Sequence, residues 1–214
     1  MALFYANTRV YHLLMAITYR HHRTERFRAV AEWVPDGAEV LDVCCGDGSL
    51  VDHLPRNVSY RGLDCSRAFL RTARRRGRPV ERCDVCSESL PKSEVVICQV
   101  SLYQFYPLVD QMLARLFEAA TQRLIVSESV WSLTRSKLPL VAPLIAWAMR
   151  ANDLSDGYFR FTPEELDRLF AAYRPFLRYQ GSICGGLDRL FVLDKASHTP
   201  LDGSRPAPSG SPRP

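Results

Sequence analysis

The chain has 214 residues, 47% hydrophobic and 24% charged, with a formal net charge of +5. That length fits one α/β domain with a substantial core, and the composition is that of a globular protein rather than a disordered or fibrous one. The modest positive charge permits contact with nucleic acid or an anionic membrane without arguing for either.

No stretch reaches the ~18 apolar residues of a membrane span. The first residues lack the charged region and apolar core of a secretory signal. The seven cysteines, with Cys44 and Cys45 adjacent, read as reduced thiols of a cytoplasmic protein. The basic residues are almost all arginine, the lysines being Lys92, Lys137 and Lys195.

Residues 8–33 read as helical, with Thr8 as a cap and Val10, Leu13, Leu14 and Ile17 at helical spacing. His21-His22-Arg23 is expected to interrupt them. The second helix carries Phe27, Val30, Ala31 and Val34 on one face, and residues 1–34 form N-terminal cap helices. Pro35-Asp36-Gly37 turns the chain into a strand at about Glu39–Cys44. Cys45-Gly46-Asp47-Gly48 follows at once. Glycines there allow a tight turn with φ > 0 and leave room for a bound group.

A short helix at Ser49–Leu54 ends at Pro55. A second strand, about Ser59–Asp64, closes on a carboxylate, where a nucleotide-binding fold grips ribose hydroxyls. The next helix has Ser66 as N-cap and Gly77 just past its end. Strands follow at about Val80–Cys83, at Glu94–Val100, which is apolar almost throughout, and at Arg123–Glu128, with a helix at Leu108–Ala120 before the last. The alternation predicts a doubly wound α/β fold with a mostly parallel sheet.

Residues 130–160 break the rhythm. They contain Leu138–Met149, apolar throughout except for two prolines, which reads as a buried packing element, a lid for a hydrophobic substrate or, third, a peripheral membrane contact. Thr162-Pro163-Glu164-Glu165 is a capping box opening a helix to about Tyr173. Phe176–Gly181 and Asp188–Leu193 read as two strands joined at Gly185-Gly186. Residues 196–214, rich in Pro, Ser and Gly, read as a disordered tail.

Taken in order and spacing, VLDVCCGDG, RGLDCS, DVCSESLP and VVICQVSLYQF resemble the class I S-adenosylmethionine-dependent methyltransferases, and most the ubiquinone/menaquinone-biosynthesis-like small-molecule enzymes. The resemblance covers about residues 28–130. It implies a Rossmann-like sheet of seven strands with an antiparallel strand near the C-terminus, a methyltransferase domain over 35–195 with a substrate-cap insertion at about 130–160, and S-adenosyl-L-methionine as cofactor. It assigns cofactor binding to Asp42, Cys44, Gly46, Gly48, Asp64, Cys65, Asp84, Val85 and Gln99. Asp42 would orient the cofactor's amino group, Asp64 the ribose, Asp84 and Val85 the adenine. Cys44 stands where glycine is commoner, leaving slightly less room.

The substrate side falls to Leu102 and Tyr103, and Tyr103 and His21 are candidates for a base; a placement enzyme need not have one. Core packing is an equal reading for Tyr103 and Phe105. Cys83-x-x-Cys86 is not read as a metal site, since no second pair or histidines accompany it. Arg67, Arg71, Arg74, Arg75, Arg76, Arg78 and Arg82 form a dense basic run, most simply a solvated helix face.

The expected activity is methyl transfer to a small, apolar or amphipathic molecule, at carbon or oxygen. The stretch after the fourth strand lacks the Asn/Asp-Pro-Pro-Tyr/Phe signature of amino-group methylation, so nucleic acid is not favoured. A nicotinamide-dependent oxidoreductase is the first competitor, although Leu50-Val51 occupies the place of its third glycine. A non-catalytic binding relative is the second.

Overall fold

The structure, a computed structural model, describes residues 22–130 and 160–195. The helix expected over 8–20, His21, the Leu138–Met149 stretch and the 196–214 tail lie outside the described residues. In chain order the elements are α1 (His22–Ala31), β1 (Glu39–Val43), a 3₁₀ turn at Ser49–His53, β2 (Ser59–Asp64), α2 (Arg67–Arg75), β3 (Val80–Arg82), β4 (Ser93–Gln99), a 3₁₀ turn at Leu102–Phe105, α3 (Val109–Ala119), β5 (Ala120–Ser129), α4 (Pro163–Leu169), a 3₁₀ stretch at Phe170–Phe176, β6 (Leu177–Ile183) and β7 (Asp188–Asp194).

The strands form one seven-stranded sheet in the order β3-β2-β1-β4-β5-β7-β6. β1 to β5 pair in parallel, and β7 runs antiparallel to both β5 and β6. Successive side chains of a strand face opposite sides, and here both sides are covered. Val40, Val95, Ile97, Ile125 and Val192 pack with Phe27, Val30 and Trp33 of the α1 region. Leu41, Val43, Val96, Cys98, Leu124, Val126 and Phe191 pack with Met112, Leu113 and Leu116 of α3, Leu166 of α4 and Phe170. Double coverage explains why β4 and β5 read as continuous apolar runs.

Element boundaries depart from the sequence reading in a few places. The Ser49–Leu54 helix is a 3₁₀ turn; between left-handed Gly48 and Pro55 there is no length for an α-helix to propagate. The helix opened by Thr162 has its capping box, with Thr162 Oγ1 accepting from Glu165 N–H at 3.2 Å and Glu165 Oε2 accepting from Thr162 N–H at 2.7 Å. It ends at Leu169 and tightens into the 3₁₀ stretch containing Pro175, whose ring has no N–H to give the ladder. β5 starts earlier than its apolar run, because Ala120 pairs with Ser93 across the sheet. β6 is shifted to Leu177–Ile183 by its pairing with β7, which ends at Ile183 opposite Asp188.

The register sets up the site. Val43 is opposite Leu63 and Cys98, Asp64 opposite Arg82, and Gln99 opposite Ser127. The carboxyl ends of β1, β2, β3 and β4 therefore line up along one edge.

Candidate functional site

A cavity of about 640 Å³ opens on that edge. Its floor is the turn after β1. Cys44, Gly46 and Gly48 take left-handed φ of 60°, 58° and 66°. The turn is tied down by Cys45 N–H donating to the Leu63 carbonyl at 3.0 Å, Gly48 N–H to the Cys45 carbonyl at 3.0 Å, and Gly46 N–H to Asp64 Oδ2 at 2.8 Å. Gly46 lines the cavity, and a Cβ there would meet no protein atom within 4 Å. Gly48 lies elsewhere. A Cβ on it would press on Val80 at 3.2 Å, so it lets the turn pack closely on Val80 of β3 and does not line the cavity. Cys44, which lines the cavity, holds a left-handed conformation that costs a non-glycine residue about 1–2 kcal/mol.

The carboxylates at the strand ends occupy different environments. Asp64 is buried and ties the turn after β1 to the start of α2: Oδ2 takes the Gly46 N–H, and Oδ1 accepts from Ser66 N–H at 2.8 Å. Asp64 thus shares the capping of α2 with Ser66, whose Oγ accepts from Phe69 N–H at 3.4 Å. Burial raises the Asp64 carboxyl, and the two N–H bonds partly offset this. Asp42 is wholly enclosed. Its Oδ2 accepts from the Tyr60 hydroxyl at 2.7 Å, while Oδ1 has no hydrogen-bond partner among the described residues. Burial pushes its carboxyl up to about 7 against the Tyr60 bond, and the negative charge of Asp64 adds to the rise.

Two arginines hold this region, Arg26, which the sequence reading did not single out, and Arg78, which it placed on a solvated helix face. Arg26 on α1 is 5% exposed, lines the cavity, and approaches buried Asp188 at 3.9 Å. Its charge acts on Asp42 in the direction that favours the carboxylate. Arg78 is not part of a solvated face. Its side chain is 8% exposed and grips the turn, donating to the Asp47 carbonyl at 2.6 Å, to Ser49 Oγ at 3.1 Å and to Asp52 Oδ2 at 2.5 Å. An arginine between Gly77 and Pro79 gives no sequence sign of burial; only its acidic partners, some 30 residues upstream, could have suggested it.

On the β2–β3 side, Cys65, Asp84 and Val85 all line the cavity. Asp84 is exposed, with Oδ1 accepting from Cys86 N–H at 3.0 Å and its own N–H donating to Glu88 Oε1 at 2.7 Å. The Val85 carbonyl accepts from Arg115 at 2.6 Å, which pins the loop to α3. At the end of β4, Gln99 lines the cavity with a buried Oε1 that has no partner among the described residues. Val100 then turns with φ 47°, a strained conformation for a β-branched residue.

Tyr103 also lines the cavity and packs against the core, with the Arg160 guanidinium 3.6 Å over its ring. Behind it, fully buried Glu128 at the end of β5 accepts from Leu102 N–H at 2.7 Å and Ser129 N–H at 3.0 Å. Burial lifts its carboxyl to about 7, with Arg160 opposing. His21, the other candidate base, lies outside the described residues.

Several solved structures similar to this chain are methyltransferases. Magnesium protoporphyrin IX methyltransferase from Synechocystis, with S-adenosylhomocysteine bound, superposes with a TM-score of 0.60 at 17% identity over 84% of this chain and 86% of that one. The fold is that of the class I methyltransferases. A Thermotoga maritima S-adenosylmethionine-dependent methyltransferase shares this fold at TM-score 0.63 and 14% identity, over 90% of this chain and 98% of that chain. Human N-acetylserotonin methyltransferase does so at TM-score 0.59 and 15% identity, over 88% of this chain but 55% of the human one. Residues 24–105 match the family described as methionine biosynthesis protein MetW; they run from α1 through the turn after β4 and include the residues that line the cavity. No curated protein matches the chain by sequence.

Proposed function

We propose that the cavity binds S-adenosylmethionine and that the chain transfers its methyl group to a small, apolar or amphipathic acceptor, with carbon and oxygen acceptors favoured. The observation that carries this reading is the chemistry of the donor set: a glycine turn whose Gly46 faces open space, joined by one hydrogen bond to the carboxylate of Asp64, with a buried carboxylate and a buried guanidinium beyond it. An amino-acid end needs a carboxylate for its ammonium and a cation for its carboxylate. Asp42, with one unsatisfied oxygen, and Arg26 suit those two demands.

S-Adenosylmethionine, when bound, supplies a methyl group activated on a sulfonium. The remaining work is done by the protein's own groups. Asp64 keeps lone pairs on both oxygens beyond its two backbone bonds, enough to accept from a pair of ribose hydroxyls. Asp84 and Val85 are the adenine candidates, with Cys65 on the wall between. Gln99 offers a polar atom from the end of β4. Tyr103 and Leu102 bound the acceptor side, where the Leu102 N–H is fixed by Glu128. Holding the acceptor in line with the methyl lowers the barrier by restricting motion, up to about 7–11 kcal/mol in the best cases. Neighbours that methylate a porphyrin and N-acetylserotonin support a small acceptor.

Calorimetry with S-adenosylmethionine, S-adenosylhomocysteine and NAD tests the reading. The first two are expected to bind in the micromolar range and the third not at all. Asp64→Ala is expected to weaken binding strongly; binding of NAD, or unchanged affinity in that variant, would overturn the assignment.

A further inference from the structure

α2 carries no acidic residue, and Arg67, Arg71, Arg74 and Arg75 along it are all exposed. Arg76 and Arg78 are paired with Asp47 and Asp52, but none of those four forms an ion pair among the described residues. Arg67, Arg71 and Arg74 follow i, i+4, i+7 spacing and so make one stripe about 10 Å long. The stripe begins at the cavity, which Arg67 and Arg71 line. Phe105 lines the same cavity, and within three residues of it in the chain come Tyr106, 59% exposed, and Leu108, 57% exposed. These are the exposed large apolar side chains among the described residues. Arginines without ion pairs among the described residues line the cavity together with Phe105, and the exposed apolar tips follow that residue closely in the chain.

We propose that this mouth docks on an anionic lipid surface. Arginines at such a surface are drawn to phosphate headgroups, and isolated aromatic or aliphatic tips settle in the interfacial layer. RNA fits less well. Phe69, the aromatic on the helix, is buried, which leaves Tyr106 as the one exposed large aromatic among the described residues, whereas a strand of bases stacks on several. An acidic protein would want a contiguous apolar core at the interface, which two separate tips do not supply. Docked this way, the cavity would open toward the bilayer, where an apolar acceptor partitions; that last step rests on the methyl-transfer reading. Vesicle binding itself needs neither cofactor nor acceptor.

The test is flotation of the full chain with vesicles of phosphatidylcholine alone or with a third phosphatidylglycerol, at low and high salt. Binding is expected on the anionic vesicles at low salt, with loss at high salt and none on phosphatidylcholine. The Arg67→Gln/Arg71→Gln/Arg74→Gln variant should bind anionic vesicles on the order of 100-fold more weakly, and Tyr106→Ser/Leu108→Ser several-fold more weakly. These are surface changes, and an unaltered circular dichroism melt verifies folding. Equal binding to neutral vesicles, undiminished binding by the arginine variant, or capture by single-stranded RNA with no vesicle binding would each overturn the proposal. Weakened vesicle binding with intact S-adenosylmethionine affinity in the Tyr106→Ser/Leu108→Ser variant, whose residues lie outside the cavity lining, is the outcome that separates the two readings.

Discussion

Asp42→Asn tests the electrostatics of the site most directly. The Asp42 carboxyl is raised from 3.8 to about 7 because it is enclosed beside another carboxylate. A raised carboxyl favours the folded state while protonated. Its contribution is complete below the unfolded value and is lost as pH climbs through the folded one. Between pH 5 and the folded value lie about 2 units, worth about 3 kcal/mol at 1.36 kcal/mol each.

Asparagine has no charge to bury, so the variant does not suffer this loss. Its oxygen can still accept from the Tyr60 hydroxyl. Its amide nitrogen, where Oδ1 now sits without a partner, costs about 1–3 kcal/mol at every pH. The stability of the variant relative to wild type should therefore rise by about 3 kcal/mol between pH 5 and pH 8, whatever the fixed cost. Glu128 titrates in the same window but is common to both proteins and cancels. Urea denaturation at the two pH values measures the difference. A difference that does not change with pH would show that Asp42 is not a strained carboxylate. Calorimetry supplies the functional half: wild-type affinity for S-adenosylmethionine should rise as pH passes through 7, with proton release, and the variant's should be flat and weaker.

Gly46→Ala forces a Cβ onto a φ of 58° and into the cavity; a stability loss of about 1–2 kcal/mol in thermal melts should accompany a much larger loss of cofactor affinity. Arg78→Met strips the turn of its guanidinium and removes one of the two arginines paired with the Asp47 carboxylate, 5% exposed; a cost of about 1–3 kcal/mol is expected from urea midpoints, and an unchanged midpoint would mean Arg78 does not hold the turn. Glu128→Ala orphans the Leu102 and Ser129 N–H groups and should cost about 2–4 kcal/mol, with faster amide hydrogen exchange at Leu102.

Much of the architecture was legible because it rests on local rules. The two-sided apolar pattern of β4, the capping box at Thr162, the Ser66 cap and the punctuation at Gly77 each describe an element that the structure contains. Gly46 and Asp64 could be placed at the cavity because a glycine turn after one parallel strand and a carboxylate at the tip of the next fall on the same sheet edge. Gly48 shows the limit of such reading: the same residue type, two positions on, serves packing against Val80, and only the neighbouring strand reveals it.

Arg26 and Arg78 were illegible for the same reason. An arginine is ordinarily solvated, and what buries these two are carboxylates 26 or more residues away in sequence: Asp188 for the first, Asp47 and Asp52 for the second. Sequence by itself determined the order of strands and helices, the doubly covered sheet and the turn on which the site is built, because periodicity and backbone preference act over a few residues. Tertiary structure alone decided which charges are buried and which face the cavity, because desolvation depends on everything that surrounds a group and not on the residues beside it in the chain.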